Sequence, residues 1–164
     1  MSRGALLVVA IAGVLALPAA AAAALGISSA TNTSATVTLN GFDQTANGSF
    51  TMTITGGGTT GWQVTAWAAV PKDGTLAIGS IKIPSQPTAS ACTGVGCVKP
   101  TPTGLSFPVT LGTSSGSAVK IYNAAARTGT GTDPVTVPYA SAVPASALAG
   151  AYTTTITLAV VSGP

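Results

Sequence analysis

The sequence predicts an all-β fold: a single antiparallel β-sandwich of Ig-like, Greek-key type, with about eight strands after an N-terminal signal peptide. Three observations predict it. Apolar and polar residues alternate with period two in one segment after another, the pattern of strands with one wet and one buried face. Glycine and proline, 20 and 11 residues, punctuate those segments, and no long run carries the apolar spacing of an amphipathic helix. Hydrophobic residues make up 46 % of the chain and charged residues only 5 %. The chain therefore has a core to bury, and a surface to cover with hydroxyl, amide and small side chains.

The first element is an address. In "MSRGALLVVAIAGVLALPAAAAAALG", Arg3 supplies a positive start, Ala5 to Leu17 an uninterrupted apolar stretch, and Pro18 with its alanines a cleavage region between Ala21 and Ala24. Residues 1–24 read as a secretory signal peptide and 25–164 as one domain, secreted and free of the membrane once cut. The apolar stretch is shorter than the roughly 20 residues of a spanning helix. A retained anchor helix, extended by the alanines, is the alternative.

The strands follow in order. "ATVTL" sets Val37 and Leu39 against Thr36 and Thr38; "SFTMTIT" sets Phe50, Met52 and Ile54 against Thr51, Thr53 and Thr55. β-Branched threonine suits the wet face, because its stiff side chain fits the pleat while its hydroxyl stays hydrated. After the glycine-rich "GGGTTG", "WQVTAWAAV" places Trp62, Val64 and Ala66 on one face and Gln63, Thr65 and Trp67 on the other. "TLAIGSIKI" changes parity at Gly79, from Leu76 and Ile78 to Ile81 and Ile83, which predicts a β-bulge. Residues 84–102, rich in Pro, Ser, Thr and Gly, read as a long irregular loop. "LSFPVTL" resumes the alternation, and Pro108, having no N–H, confines its strand to an edge or a bulge. "AVKIYN" and "VTVPY" are short strands around the loop "AAARTGTGTDP"; "PASALAG" reads as one helical turn. "AYTTTITLAVV" closes the chain with Tyr152, Thr154, Ile156, Leu158 and Val160 on one face.

The two cysteines, Cys92 and Cys97 in "ACTGVGCV", flank four small residues. A secreted chain makes this a local disulfide, closing a loop worth about 2 kcal/mol in the chain-entropy model. A zinc site is disfavoured because the chain has no histidine and no third cysteine. The same inventory removes the Ser-His-Asp and Cys-His arrangements, and with no glutamate a glycosidase carboxylate pair would have to come from the distant aspartates Asp43, Asp73 and Asp133, which no motif supports. No catalytic residue and no cofactor site is assigned. Ser117 to Lys120 spells S-x-x-K, but on a strand positions i and i+3 point apart, and no partner motif follows. Without Arg3 the five basic residues Lys72, Lys82, Lys99, Lys120 and Arg127 are scattered, too few for a nucleic-acid footprint. Asn32 and Asn47 fit the glycosylation acceptor pattern.

Two segments resemble the WxL-type surface domain of Gram-positive bacteria. In "GWQVTAWAAVP", Trp62-Gln63-Val64 stands where that family has tryptophan, any residue, leucine. "VPASALAGAYTTTITLAVVSGP" is similar to its distal pattern of a Pro-initiated turn, Gly, Tyr and a Thr-rich strand. Val64 replaces the leucine, and Leu158 stands where a second tryptophan is expected. The resemblance implies a non-catalytic β-sandwich held non-covalently at the cell wall through peptidoglycan or partner surface proteins. On that expectation Trp62 and Tyr152 face the core, with Gln63 and Val64 in the motif, and Trp67 is the outward aromatic; burial of Trp67 under residues 84–102 is the alternative. A second expectation is a subunit of a pilus or surface assembly built by β-strand augmentation.

Overall fold

The computed structural model describes residues 4–13 and 25–163 and is a sandwich of two seven-stranded sheets. In chain order the strands are β1 (Gly4–Gly13), β2 (Gly26–Asn32), β3 (Ala35–Thr38), β4 (Gln44–Thr55), β5 (Trp62–Ala68), β6 (Lys72–Asp73) and β7 (Leu76–Ala77). They continue with β8 (Ile81–Ile83), β9 (Thr88–Ala89), β10 (Thr93–Val98), β11 (Val109–Thr110), β12 (Val119–Ala124), β13 (Thr130–Val143) and β14 (Ala151–Ser162). One sheet runs β12-β5-β14-β1-β3, with β6 and β7 joined to it at β14. The other runs β11-β8-β13-β4-β2, with β9 and β10 paired to β13. Named strands pair antiparallel except β1 with β14.

The alternation explains the layers. Strands β4 and β13 pair over twelve positions, from Thr132↔Thr55 to Val143↔Gln44. Phe50, Met52, Ile54, Val135, Val137 and Tyr139 are thereby sent inward, where they are buried. The opposite sheet contributes Trp62, Val64, Ile121, Tyr152, Ile156 and Leu158 to the same core. Thr51 and Thr136 meet on the outer face, their hydroxyls 3.3 Å apart. Buried tyrosines keep polar partners: the Tyr139 hydroxyl donates to the Thr33 carbonyl, and that of Tyr152 to the Leu148 carbonyl at 3.1 Å.

The structure departs from the sequence reading at five places. At Gly79 the chain changes sheets: β7 lies with β6 and β14, and β8 lies with β13. Leu76 is consequently exposed while Ile78 is buried, so the predicted bulge is a crossover. An added Cβ at Gly79 would stand 2.8 Å from that of Ala142, which leaves room for glycine alone. Residues 84–102 are not wholly irregular, because β9 and β10 dock on β13 within them. Strand β13 begins at Thr130, inside the expected loop, since pairing to β4 from Thr132 and to β10 at Thr130 extends it beyond its apolar residues. "PASALAG" makes a turn, closed by Ala147 N–H to the Pro144 carbonyl at 2.9 Å, and no helix. Ser117 ends a short 3₁₀ turn and its hydroxyl bonds the Ser114 carbonyl at 3.0 Å, whereas Lys120 lies in β12. Pro108 directly precedes β11, which is an edge strand, one of the two placements, edge or bulge, that the missing N–H allows.

Over Gly4–Gly13, the apolar stretch assigned to a leader is extended and paired. The expected cleavage region, residues 21–24, lies outside the described residues. Among the described residues no helix is long and apolar enough to cross a membrane.

Asp133 carries a cost in this core. It is fully buried, and neither carboxylate oxygen has a hydrogen-bond partner among the described residues. Burial pushes its pKa from 3.8 up to about 6, against an opposing pull from the Lys99 charge. Burial first, and the Asp133 charge second, push neighbouring Tyr122 up to about 12. A raised carboxyl pKa means that the folded state binds the proton more tightly than the unfolded chain. Stability is therefore greatest below pH 4 for this group and falls as pH rises through about 4 to 6, by about 3 kcal/mol in total. Asp133→Asn is expected to raise stability at pH 7 and to flatten this slope, as urea unfolding at pH 4 and pH 7 will measure.

Candidate functional site

Strand β5 divides the two tryptophans. Trp62 points inward, fully buried, where its Nε1 donates to the Gly129 carbonyl at 2.8 Å and its ring lies 5.9 Å from that of Tyr122. Gly129 has a positive φ of 63°, and a Cβ there would stand 2.5 Å from the indole nitrogen. The tryptophan slot thus exists because that position has no side chain. Val64 and Tyr152 are also buried, and Gln63 is half-buried opposite Val161 and Asn123. Of the five residues singled out for binding, Trp62, Val64 and Tyr152 therefore belong to the packing of the core. Trp67 and Gln63 lie on the other face of β5.

Trp67 sits half-buried on the outer face, opposite Thr157 of β14 and bridged on its other side to Gly112. It forms one wall of an open depression of about 420 Å³, with Val70, Lys72, Thr153, Thr155 and Thr157 around it. Thr153 and Thr155 are exposed, as is Lys72, which pairs with Thr153. Thr154, on the inner parity of β14, turns its hydroxyl to the Ala69 carbonyl at 2.6 Å and fixes the segment leading to Val70. Residues 84–102 do not cover Trp67; their strands lie on β13 in the other sheet.

Chemically, the depression offers an apolar aromatic face, a row of hydroxyls that donate and accept, and one ammonium. It suits a neutral or weakly acidic polyhydroxylated ligand stacked on the indole. No aspartate is among the lining residues. The sequence marked Trp67 by its outward parity. It did not mark Val70, Lys72 or the Thr153 to Thr157 row, because the β5·β14 pairing joins segments about 90 residues apart, beyond any local pattern.

A second cluster was also missed. The sulfurs of Cys92 and Cys97 and a carboxylate oxygen of Asp133 lie within 4.8 Å of one another. The sulfurs are joined in a disulfide, which removes them as thiolate ligands. The bridge packs on Gly131, where an added Cβ would stand 2.6 Å from the Cys97 sulfur, and so helps pin β10 to β13.

No protein-family model matches this chain, and no curated protein matches it.

The opposite placements of the indoles separate their energetics. Trp62→Ala is expected to cost about 3–5 kcal/mol, through the cavity and the orphaned Gly129 carbonyl. Trp67→Ala is expected to cost about 1 kcal/mol or less. Guanidinium unfolding of both variants measures the difference, and iodide should quench the emission of Trp67 far more than that of Trp62.

Proposed function

We propose that this chain is a secreted, non-catalytic surface protein that associates non-covalently with the Gram-positive cell wall, through the outer face of its sandwich around Trp67. The observation that carries the reading is a half-buried tryptophan lining an open, largely apolar depression bordered by threonines on the outer face of a sheet. An aromatic held in this way stacks on the apolar face of a sugar ring, while neighbouring threonines exchange hydrogen bonds with its hydroxyls. Lys72 at the rim adds an attraction to the carboxylates and phosphates of wall polymers.

Four features of the chain support the rest of the proposal. The apolar N-terminal stretch with its alanine-rich end fits a leader removed on export, and the Cys92–Cys97 bridge fits an oxidising compartment. The lack of histidine and glutamate removes the Ser-His-Asp and Cys-His arrangements, in keeping with a binding role. The WxL-like spacing of Trp62-Gln63-Val64 and the Tyr152 strand adds the expectation of a wall polymer, peptidoglycan first, or of a partner surface protein.

The exported protein should co-sediment with washed Gram-positive cell walls. Trp67→Ala, with its near-ultraviolet circular dichroism otherwise retained, should lose most of that binding, whereas Lys82→Ala, on the other sheet, should not. Equal sedimentation of Trp67→Ala and the parent protein would remove the depression from the proposal.

A further inference from the structure

We infer that the place of β1 is a one-strand slot which, after export, receives an uncharged apolar β-strand from another surface protein, running parallel to β14. This rests on the reading of residues 1–24 as a leader that export removes.

The pairing around β1 is the ground for it. β1 joins β14 in parallel over eight positions, from Leu6↔Ala151 to Gly13↔Leu158. On its other edge it joins β3 over four, from Gly4↔Thr38 to Leu7↔Ala35. Among the described residues β3 has no other ladder neighbour, so β1 alone ties it to its sheet. Taking β1 away leaves β14 and β3 separated by two strand spacings, about 9–10 Å, which is room for one strand. It also strips backbone partners from Ala151 to Leu158, directly above the buried side chains of Tyr152, Ile156 and Leu158.

The edge exposed in this way lacks the protection that two of the four standing edges carry, those of β12 and β11; the other two, β2 and β3, have neither charge nor proline. Edge strand β12 contains Lys120, and β11 follows Pro108 and pairs with Lys82. Charge and proline at an edge discourage further pairing. From Ala151 to Leu158 β14 has neither, which is the composition of an interior strand. A mature protein with this edge bare would be unstable or would pair, and pairing by strand addition supplies affinity through the backbone.

The chemistry of the occupant follows from the segment that fills the slot now, Leu6-Leu7-Val8-Val9-Ala10-Ile11-Ala12-Gly13, which is uncharged and apolar throughout. A second copy of the mature chain offers nothing equivalent. Its apolar strands β4, β5 and β13 are interior to their sheets, β14 stays bound along its other edge by β5 and β6 and cannot leave its sheet to enter a one-strand gap, and the segment next to the expected cleavage point, β2, reads "GISSATN". The occupant is therefore a strand of a different protein.

The test keeps the whole chain. A protease site is placed between Gly13 and Leu25, and the protein is folded first and cut afterwards. A fluorescent peptide with the sequence of residues 5–13 is then added at micromolar concentration and its anisotropy followed. The cut chain should take up the peptide. The uncut chain should take up about a hundredfold less, because its tethered strand competes at an effective concentration of order millimolar. A peptide with proline in place of Val9 should bind neither, since an interior strand needs that N–H. No uptake by the cut chain overturns the inference, whether its own strand stays in place, the fold is lost, or cut chains associate with one another on size exclusion. The intact mass of the exported protein tests the leader separately: a mass that retains residues 4–13 ends the leader reading, while the peptide result still reports on the slot.

Discussion

Strand β14 has hydrogen-bonded neighbours on both edges, β5 and β6 on one side and β1 on the other. A strand in that position must satisfy two faces and two edges with one sequence, and the Thr-rich alternation of Ala151–Ser162 does so. Tyr152, Ile156, Leu158 and Val160 complete the core, while Thr153, Thr155 and Thr157 form the floor of the depression beside Trp67. Because the two sets are interleaved, register decides everything: a slip of one residue would send the threonines inward and the apolar residues into water. The pairing Thr157↔Trp67 holds that register and brings the candidate site together.

The opposing sheet works on the same principle with a longer ladder. β4 and β13 share twelve paired positions, and close-packed glycines mark where it meets its neighbours. An added Cβ at Gly48 would clash with Cζ and the hydroxyl oxygen of Tyr139, and one at Gly131 would meet the disulfide. These positions let side chains lie directly on backbone, which is how a chain with few aromatic residues reaches interior packing density. The same density seals Asp133. An unpaired buried carboxylate destabilises its surroundings above its pKa, and a nearby cross-link offsets part of that penalty.

A surface with so few charges places unusual weight on edges. Hydroxyl and small side chains keep the faces hydrated, yet they do little to repel another strand. Lysine and proline perform that task at β12 and β11, while the edge strands β2 and β3 carry neither. The β14 edge is covered by the chain's own N-terminal strand, and the two proposals made for this protein meet on β14: the aromatic depression lies on one of its faces, and the place of β1 along its edge.

Period-two patterning was enough to read the all-β class, the inward set Trp62, Val64, Tyr152, Ile156 and Leu158, the outward parity of Trp67 and the edge position near Pro108, because each depends on side-chain alternation or on a missing N–H within one segment. The cysteine spacing was likewise enough for the disulfide, since a glycine-containing loop of that length folds back on itself. Pairing between distant segments was not legible. Which strand lies beside which is decided by packing of whole faces, so the sheet change at Gly79, the docking of β9 and β10, the Lys72 and threonine lining of the depression and the burial of Asp133 emerged only in three dimensions. The N-terminus shows the division most clearly. Its composition by itself determined an uncharged apolar segment, equally suited to a leader and to an interior strand; only the tertiary structure placed that segment between β14 and β3, where two otherwise unpaired backbone edges bind it from both sides.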